Sequence, residues 1–423
     1  MKTFLEFFTF QNPNVVYVVL GMIFINSSSA LIGTFAFLRK RSLIGDAIAH
    51  SLLPGICIGF LVAGEKNPVY LLAGAFATGW ISIFLVDYIV NHSRVKQDTA
   101  IGIVLSSFFA FGIVLLTFIQ KSGNANQAGL DHFLFGQAAA ITRDEILLFS
   151  IIFLLILLAV IFFYRSFILI SFNPEYASSI GLPVRFFEFL LTSLTVLAIA
   201  TGIQALGVIL MSALIITPAA AARLWTHNLK LLLVIAVGFS IVSGISGAYI
   251  SYTTSGMPTG PWVIITLSAI TLFSITFAPK RGFLSKYLIR VRNEKKINDE
   301  NILKTLYSIF ESKEHLRTFR SAELTEARSF NTGSLNQSLK RLVKKGFLEK
   351  NMDQFSLTDS GIIESKRIAR LHRLWEQYLL KRTRVDVDHV HSGAEAIEHI
   401  ITPEIEKELE KELGIEGIPQ EDY

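Results

Sequence analysis

The chain has 423 residues, is 51% hydrophobic, contains 34 phenylalanines and carries a net charge of +5; its mean hydropathy is +0.49. Positions 1–279 hold only 13 of the 39 Lys and Arg and 10 of the 34 Asp and Glu. These values exclude an ordinary soluble globular protein and indicate a membrane domain followed by a soluble one, while the modest net charge does not by itself imply a nucleic-acid partner.

Apolar runs long enough to cross a bilayer as helices follow one another through the first two thirds of the chain. Nine spans are predicted, at 14–38, 43–63, 68–91, 99–119, 145–164, 186–204, 206–224, 229–250 and 261–278. Basic residues fall in alternate loops, which identifies those loops as cytoplasmic. Nine spans therefore place the N-terminus outside a plasma (inner) membrane and the C-terminal part in the cytoplasm.

Proline and glycine fall within the second and seventh predicted spans, in "GDAIAHSLLPGICIG" and "GVILMSALIITPAAAARL". A break at membrane depth frees backbone groups that neighbouring protein or a water-filled cavity must satisfy. Transporters use interrupted helices of this kind. The alternative is a proline kink that only serves packing.

The character of the chain changes after the last span. We predict a transmembrane domain over 1–282, a basic juxtamembrane connector over 283–298, a winged-helix domain over 299–360 and a helical metal-binding and dimerisation domain over 361–423. The winged helix is predicted from two short helices and a two-stranded wing. The fold class is thus an all-α polytopic membrane domain followed by a soluble winged-helix and helical domain.

Asp46 and His50 are the first candidate site. They are four residues apart in the second span, so their side chains share one face of a helix. Titratable groups at membrane depth normally face a pathway or a partner. A carboxylate with an imidazole suits divalent Mn, Fe or Zn. The alternative is an internal salt bridge or a helix cap, because Arg39 to Arg41 shortly precede Asp46.

Histidines and glutamates also recur at helical spacings near the C-terminus. His372 and Glu376 are four residues apart in one predicted helix, and Glu395, Glu398 and His399 share one face of another. His391 lies one turn before Glu395. Imidazole and carboxylate ligands at these spacings favour a second divalent-metal site. The alternative is a dimerisation scaffold with ordinary surface charges.

Six blocks of sequence resemble the membrane subunits of bacterial ABC importers for manganese, zinc or iron, the ABC-3 family. They include "FLRKRSLIGDAIAHSLLPGICIGF", "NPEYASSIGLPV" and "LGVILMSALIITPAAAARL", and they run in order along residues 14–282. The resemblance implies a homodimeric permease, two cytoplasmic ATPase subunits and an extracytoplasmic metal-binding protein. It also implies that Asp46 and His50 hold the metal in transit, midway through the membrane.

The segment 173–184 resembles the coupling helix with which ABC permeases dock on their ATPase. The residues that carry this resemblance are Pro174, Glu175, Tyr176, Ala177 and Gly181. The alternative is an interfacial helix without a partner. The sequence contains no G-x-x-x-x-G-K-[ST] loop, so we expect no nucleotide on this chain and no enzyme activity of its own. ATP hydrolysis would belong to a separate subunit.

Residues 299–414 resemble the diphtheria-toxin-repressor family of manganese- and iron-responsive regulators. By this resemblance His372, Glu395, Glu398 and His399 are metal ligands, and Glu376 and His391 belong to an ancillary site. Glutamate at position 395 is typical of the manganese type. Members of that type carry two acids on the first helix of the winged-helix domain, where this chain has Asn301 and Lys304, so the primary site is expected to be incomplete, weakened or filled by water.

The winged helix raises the question of DNA binding. The predicted recognition helix offers Asn336, Gln337, Lys340 and Arg341, side chains that suit base edges and phosphates. Two functions follow from the sequence. The first is a permease for Mn²⁺, with Fe²⁺ or Zn²⁺ as alternatives, whose cytoplasmic domain senses metal. The second is a membrane-anchored, metal-dependent transcriptional regulator that acts through, or is released with, its winged helix.

Overall fold

The computed structural model of the protein describes residues 6–10, 12–39, 43–121, 136, 138, 141–254, 257–312, 317–328, 330–352, 354–382 and 403–413. The chain divides into two compact units, Met1–Ser285 and Lys286–Tyr423. The division falls close to the start of a long helix, within the predicted connector 283–298.

The first unit is built from helices in the part of the chain that the structure describes. They are α1 (Pro13–Leu38), α2 (Ile44–Ala63), α3 (Pro68–His92), α4 (Gln97–Lys121), α5 (Arg143–Phe162), α6 (Tyr164–Phe172), α7 (Pro174–Ser179), α8 (Val184–Leu206), α9 (Val208–Trp225), α10 (Leu229–Thr253) and α11 (Thr259–Phe277). Eight of them, all except α6, α7 and α9, are long and apolar enough to cross a membrane. The seventh predicted span, 206–224, corresponds to α9, whose apolar stretch Leu210–Arg223 is shorter.

Local sequence explains where several of these helices begin. Asn12, Asn67 and Asn228 each accept a backbone N–H two residues further on, at 3.0 Å. This satisfies one of the donors that a helix leaves unpaired in its first turn. Thr142 and Glu145 form a reciprocal capping box at the start of α5. Capping therefore fixes the starts of α1, α3, α5 and α10.

Helix α2 is continuous through Pro54, so the predicted break in the second span is wrong. The helix is held by close backbone contacts, because a Cβ atom added at Gly55 would lie 2.1 Å from the carbonyl oxygen of Gly74 on α3. Gly112 of α4 packs on the side chain of Leu53, where an added Cβ atom would lie 2.9 Å from Cδ2. Small residues permit such approaches between membrane helices. This packing supports α2 at the proline, where one backbone hydrogen bond is lost.

The interruption near the seventh span is real and lies at Gly207, between α8 and α9. Gly207 has φ 84° and ψ 160°, a conformation that is essentially confined to glycine. Leu206 and Val208 on either side are fully buried. The backbone of Gly136 packs against this break, since a Cβ atom there would lie 2.3 Å from the carbonyl carbon of Leu206. The turn is thus enclosed by protein.

The second unit contains a winged helix. Its elements are α12 (Phe283–Ser312), β1 (Thr318–Arg320), α13 (Ser321–Ala327), α14 (Thr332–Lys344), β2 (Leu348–Asn351), β3 (Gln354–Leu357), α15 (Asp359–Arg382) and α16 (Pro403–Leu413). The antiparallel sheet has the order β1-β3-β2, with Phe319 opposite Phe355 and Leu348 opposite Leu357. The wing is therefore three-stranded, because β1 joins the two predicted strands. Its core includes Leu306, Leu339 and Leu342.

Candidate functional site

Asp46 and His50 lie one turn apart on α2, and both are partly buried. Asp46 is in the first turn of the helix, where a carboxylate also complements the positive end of the helix dipole. The pair is therefore nearer the beginning of α2 than its middle. The start of α2 packs against α9, since a Cβ atom at Gly45 would lie 3.7 Å from the Cα of Ser212.

The imidazole of His50 faces α4. Its ring lies edge-on to Phe109, with ring centroids 5.0 Å apart. The Nδ1 atom of His50 is buried and has no hydrogen-bond partner in the described structure. Native proteins rarely leave a buried polar atom unpaired, and such an atom calls for an explanation. An imidazole nitrogen without a protein partner is chemically suited to bind a metal ion.

The expected alternative, a salt bridge from Asp46 to the preceding arginines, is not formed by Arg39. The Arg39 guanidinium is mostly buried and pairs instead with Glu188 in the first part of α8. Among the described residues, Asp46 makes no ion pair. No cluster of three or more His, Cys, Asp or Glu is found in the described parts of the chain. Within the described residues, one copy thus offers two candidate ligands at this place.

The segment predicted to couple to an ATPase forms the short helix α7. Asn173 accepts the backbone N–H of Tyr176 at 2.9 Å and Pro174 occupies the first turn. Ala177 is fully buried, whereas Tyr176 remains 55% exposed, and Glu175 is exposed as well. Gly181 ends the segment with a φ of +83°. The helix is therefore anchored by one small residue and presents a polar and aromatic surface.

His372 and Glu376 are brought together on α15. The Nε2 atom of His372 lies 3.0 Å from Oε1 of Glu376, and His372 is only 5% exposed. The two side chains are close enough to bind the same cation. The other residues of the predicted cytoplasmic metal site, His391, Glu395, Glu398 and His399, lie outside the described residues.

The buried carboxylate of Asp299 is engaged inside the winged helix. Arg341 donates to its Oδ1 at 2.8 Å and Lys345 to its Oδ2 at 2.9 Å. Arg341 also donates to Ser338. Asp299 is thus occupied by two cations and serves an ion-pair network.

The four candidate DNA-contacting residues divide into two groups. Asn336, Gln337 and Lys340 are exposed along α14. Arg341 is turned inward to Asp299. The exposed face of α14 therefore carries three of the four candidate side chains.

Two polar features were missed at the sequence level. The pair Arg39–Glu188 joins residues 149 positions apart, whereas the sequence suggested only the nearby Asp46 as a partner for Arg39. Asn26 of α1 donates to the Ser240 carbonyl of α10 at 2.8 Å, while its Oδ1 has no partner among the described residues. The run "NSSS" within a span was the available signal for Asn26.

Comparison with known proteins places this geometry in context. Residues 11–278 match the model of the ABC 3 transport family. Residues 358–415 match the model described as iron dependent repressor, metal binding and dimerisation domain. The chain therefore combines two units that are each similar to a separate family.

Relatives match the first unit, and one of them extends into the second. The chain is 40% identical over 371 residues to the manganese transport system membrane protein MntC of Bacillus subtilis (strain 168), covering 88% of this chain and 85% of that protein. It is 42% identical over 284 residues to the zinc transport system membrane protein TroC of Treponema pallidum (strain Nichols), covering 67% of this chain and 93% of that protein. Among solved structures, "PsaBC from Streptococcus pneumoniae in complex with Fab" matches with a TM-score of 0.60 at 30% identity, covering 67% of this chain and 99% of that one.

Proposed function

The chain belongs to the ABC 3 transport family, and we propose that it is the permease subunit of an ATP-driven importer of a divalent transition metal. Mn²⁺ is the favoured substrate, with Fe²⁺ and Zn²⁺ as alternatives. The observation that carries the proposal is the pair Asp46 and His50, with the buried Nδ1 of His50 left without a protein partner. The names of the manganese and zinc relatives support the same class of substrate.

The ligand chemistry agrees with this substrate class. Carboxylate and imidazole ligands together suit Mn, Fe and Zn, whereas thiolates would favour softer ions. One carboxylate and one imidazole are too few to enclose such an ion. A second copy of the chain, related by two-fold symmetry, would present the same two residues and complete a four-ligand site. The proposal therefore includes a homodimer with the ion bound between Asp46 and His50 of both copies.

The energy for transport is proposed to come from two copies of a separate cytoplasmic ATPase. Helix α7 would receive each ATPase through its exposed Glu175 and Tyr176, with Pro174 and Gly181 delimiting the helix and Ala177 anchoring it. An extracytoplasmic metal-binding protein would deliver the ion from the other side. The alternating basic loops favour a cytoplasmic position for the second unit.

We further propose that the second unit senses cytoplasmic metal and inhibits uptake when metal is abundant. Its match to a metal-binding and dimerisation domain and the geometry of His372 and Glu376 support this role. In the variant His372→Ala, uptake should become insensitive to high internal metal, with its initial rate retained. A variant that remains as sensitive as the native chain would contradict the sensing role.

A second candidate function, a membrane-anchored transcriptional regulator, is favoured by the exposed Asn336, Gln337 and Lys340 on α14. Specific DNA binding would weaken as salt rises, because phosphate contacts release counterions. The test is operator binding by the full chain with and without Lys340→Gln. Binding that is independent of sequence would contradict this function and leave the transport role untouched.

Metal uptake tests the main proposal. Asp46→Ala and His50→Ala are each expressed in cells that lack other manganese uptake, and initial Mn²⁺ uptake is measured beside the amount of protein in the membrane. We expect uptake to fall to background in both. Asp98→Ala and His92→Ala are matched controls, because these two residues are exposed at helix ends. Uptake at the native level in Asp46→Ala and His50→Ala would refute the transit site.

A further inference from the structure

The first two turns of α12 carry a row of four exposed apolar side chains, and a fifth, Ile289, is 48% exposed on the opposite side. Phe283 is 72% exposed, Leu284 41%, Tyr287 57% and Leu288 58%. Their spacing of one, four and five residues places them on one side of the helix. Contiguous exposed apolar surface of this kind marks a place where a protein meets a partner or a membrane.

Basic residues flank this apolar face. Between positions 280 and 296 the chain has seven lysines and arginines and a single glutamate. At 100° per residue, Arg290 and Lys286 fall on one flank of the apolar face and Arg292 on the other. All three are exposed, and Arg290 makes only a surface pair with Glu294, at 2.9 Å with side chains 79% and 58% exposed. Cations beside an exposed apolar stripe are typical of helices that lie in a membrane interface.

The position of this segment along the chain brings it to the membrane surface. α11 ends at Phe277 and α12 begins six residues later, at Phe283. The intervening turn is tied to the end of α9, because Arg281 donates to the Arg223 carbonyl at 3.3 Å and lies 3.1 Å from Nδ1 of His227. The apolar face of α12 therefore begins, along the chain, directly after the last membrane-spanning helix.

We propose that residues 283–292 are a lipid-binding surface that lies in the headgroup region of a leaflet rich in anionic lipid. The apolar face enters the interface, and Lys286, Arg290 and Arg292 contact lipid phosphates from its two sides. Long basic side chains can bury their methylene stems while the charges stay at the phosphates. A second copy is a poor occupant for the same face, since two segments of strongly positive charge repel each other. This surface is independent of the transported ion and goes beyond the metal-transport role.

The test uses the full chain in lipid nanodiscs. Cys57 is replaced by alanine, and a nitroxide label is placed at Leu288→Cys on the apolar face or, as a matched control, at Asn293→Cys on the opposite side. Electron paramagnetic resonance measures the accessibility of each label to oxygen and to a water-soluble nickel complex. The nanodiscs contain phosphatidylcholine alone or with phosphatidylglycerol.

We expect the label at 288 to be accessible to oxygen and shielded from nickel in the anionic nanodiscs, and the label at 293 to remain accessible to nickel in both. Substituting Lys286, Arg290 and Arg292 by Gln should lower the ratio of lipid-inserted to water-exposed label at position 288 by about fivefold for each charge removed. Neutralising Lys344, Lys350 and Lys407, which are exposed elsewhere in the unit, should leave that ratio unchanged.

Three results would overturn the proposal. A label at 288 that stays accessible to nickel in every nanodisc would show that the face does not meet lipid. Equal shielding of the label at 288 in both lipid mixtures would show that the surface does not prefer anionic lipid. Spin–spin broadening between labels at 288 on two copies would identify a second chain as the occupant. Metal uptake does not enter the readout, so failure here leaves the transport site unaffected.

Discussion

Asp299 in the second unit and Asp46 in the first are both helical carboxylates, but their surroundings differ. Asp299 is 3% exposed and is bound by Arg341 and Lys345. Asp46 makes no ion pair among the described residues, and the Nδ1 of nearby His50 is buried without a partner. A buried charge with all its partners in place is part of the architecture. A polar pair with unused bonding capacity calls for a different explanation, and we propose that it receives the transported ion.

The largest expected effect concerns the paired carboxylate. Asp299→Ala leaves Arg341 partly buried without its counter-charge, and removing one partner of a buried pair costs about 3–5 kcal/mol. Because Arg341 is 28% and Lys345 50% exposed, we expect the free energy of opening of α12 and α14 to fall by about 3 kcal/mol, the lower end of that range. Amide hydrogen exchange of these helices measures it. Glu349→Ala, at an exposed position on β2, is the control.

If the amides of α12 and α14 are equally protected from exchange in Asp299→Ala and in Glu349→Ala, the network around Asp299 does not stabilise the winged helix. The contrast between the two carboxylates would then be lost. Retained protection in Asp299→Asn alone would instead show that hydrogen bonding, without the charge, is sufficient.

The next prediction concerns the unpaired group. Mn²⁺ at about 100 times its dissociation constant should stabilise the region of α2 and α4 by about 2.7 kcal/mol, because binding to the folded state adds to its stability. Asp46→Asn should abolish this effect while changing little in the absence of metal. Hydrogen exchange of peptides from α2 and α4 separates this effect from metal bound elsewhere in the chain. In the control Asp98→Asn, Mn²⁺ should protect these peptides as it does in the native chain. If Mn²⁺ also protects them in Asp46→Asn, the assignment of Asp46 as a ligand is wrong.

The contrast also shows what a sequence can reveal. The membrane helices were predictable because hydrophobicity is a local property of each run, and Asp46 with His50 because four-residue spacing fixes a common face. The partners of Arg341 and Arg39 were not, since they lie 42 and 149 positions away and depend on tertiary packing. Pro54 predicted a break that does not occur, because the close approach of Gly55 and Gly74 depends on the neighbouring helix.

Arg39 and Glu188 are an intermediate case within the membrane unit, since their side chains are 11% and 39% exposed. A pair that solvent partly screens contributes at most about 1 kcal/mol. We expect Arg39→Gln and Glu188→Gln each to reduce stability by less than this, and the double variant to show a coupling energy of about 0.5 kcal/mol. Thermal unfolding of the four proteins in nanodiscs gives the cycle. Arg185 is exposed on the same helix as Glu188, so Arg185→Gln should show no coupling energy with Arg39→Gln. If the two cycles gave equal coupling energies, Arg39 and Glu188 would not form a specific pair.

The smallest expected effect involves charges that repel at the surface. The pKa of His227 lies below its ordinary value, chiefly because the guanidinium of Arg281 disfavours the imidazolium, with lesser effects of burial, Arg223 and Lys280. Arg281→Gln should therefore raise the pKa of His227 toward the ordinary value of about 6.5, so that protonation occurs at higher pH than in the native chain. NMR titration of labelled histidine in nanodiscs measures the change, with exposed His92 as the internal reference. Asp299 is next to charges opposite to its own, whereas His227 is next to positive charges that oppose its protonation. If the pKa of His227 falls or stays constant in Arg281→Gln, the contact at 3.1 Å between Arg281 and His227 does not control the protonation of His227.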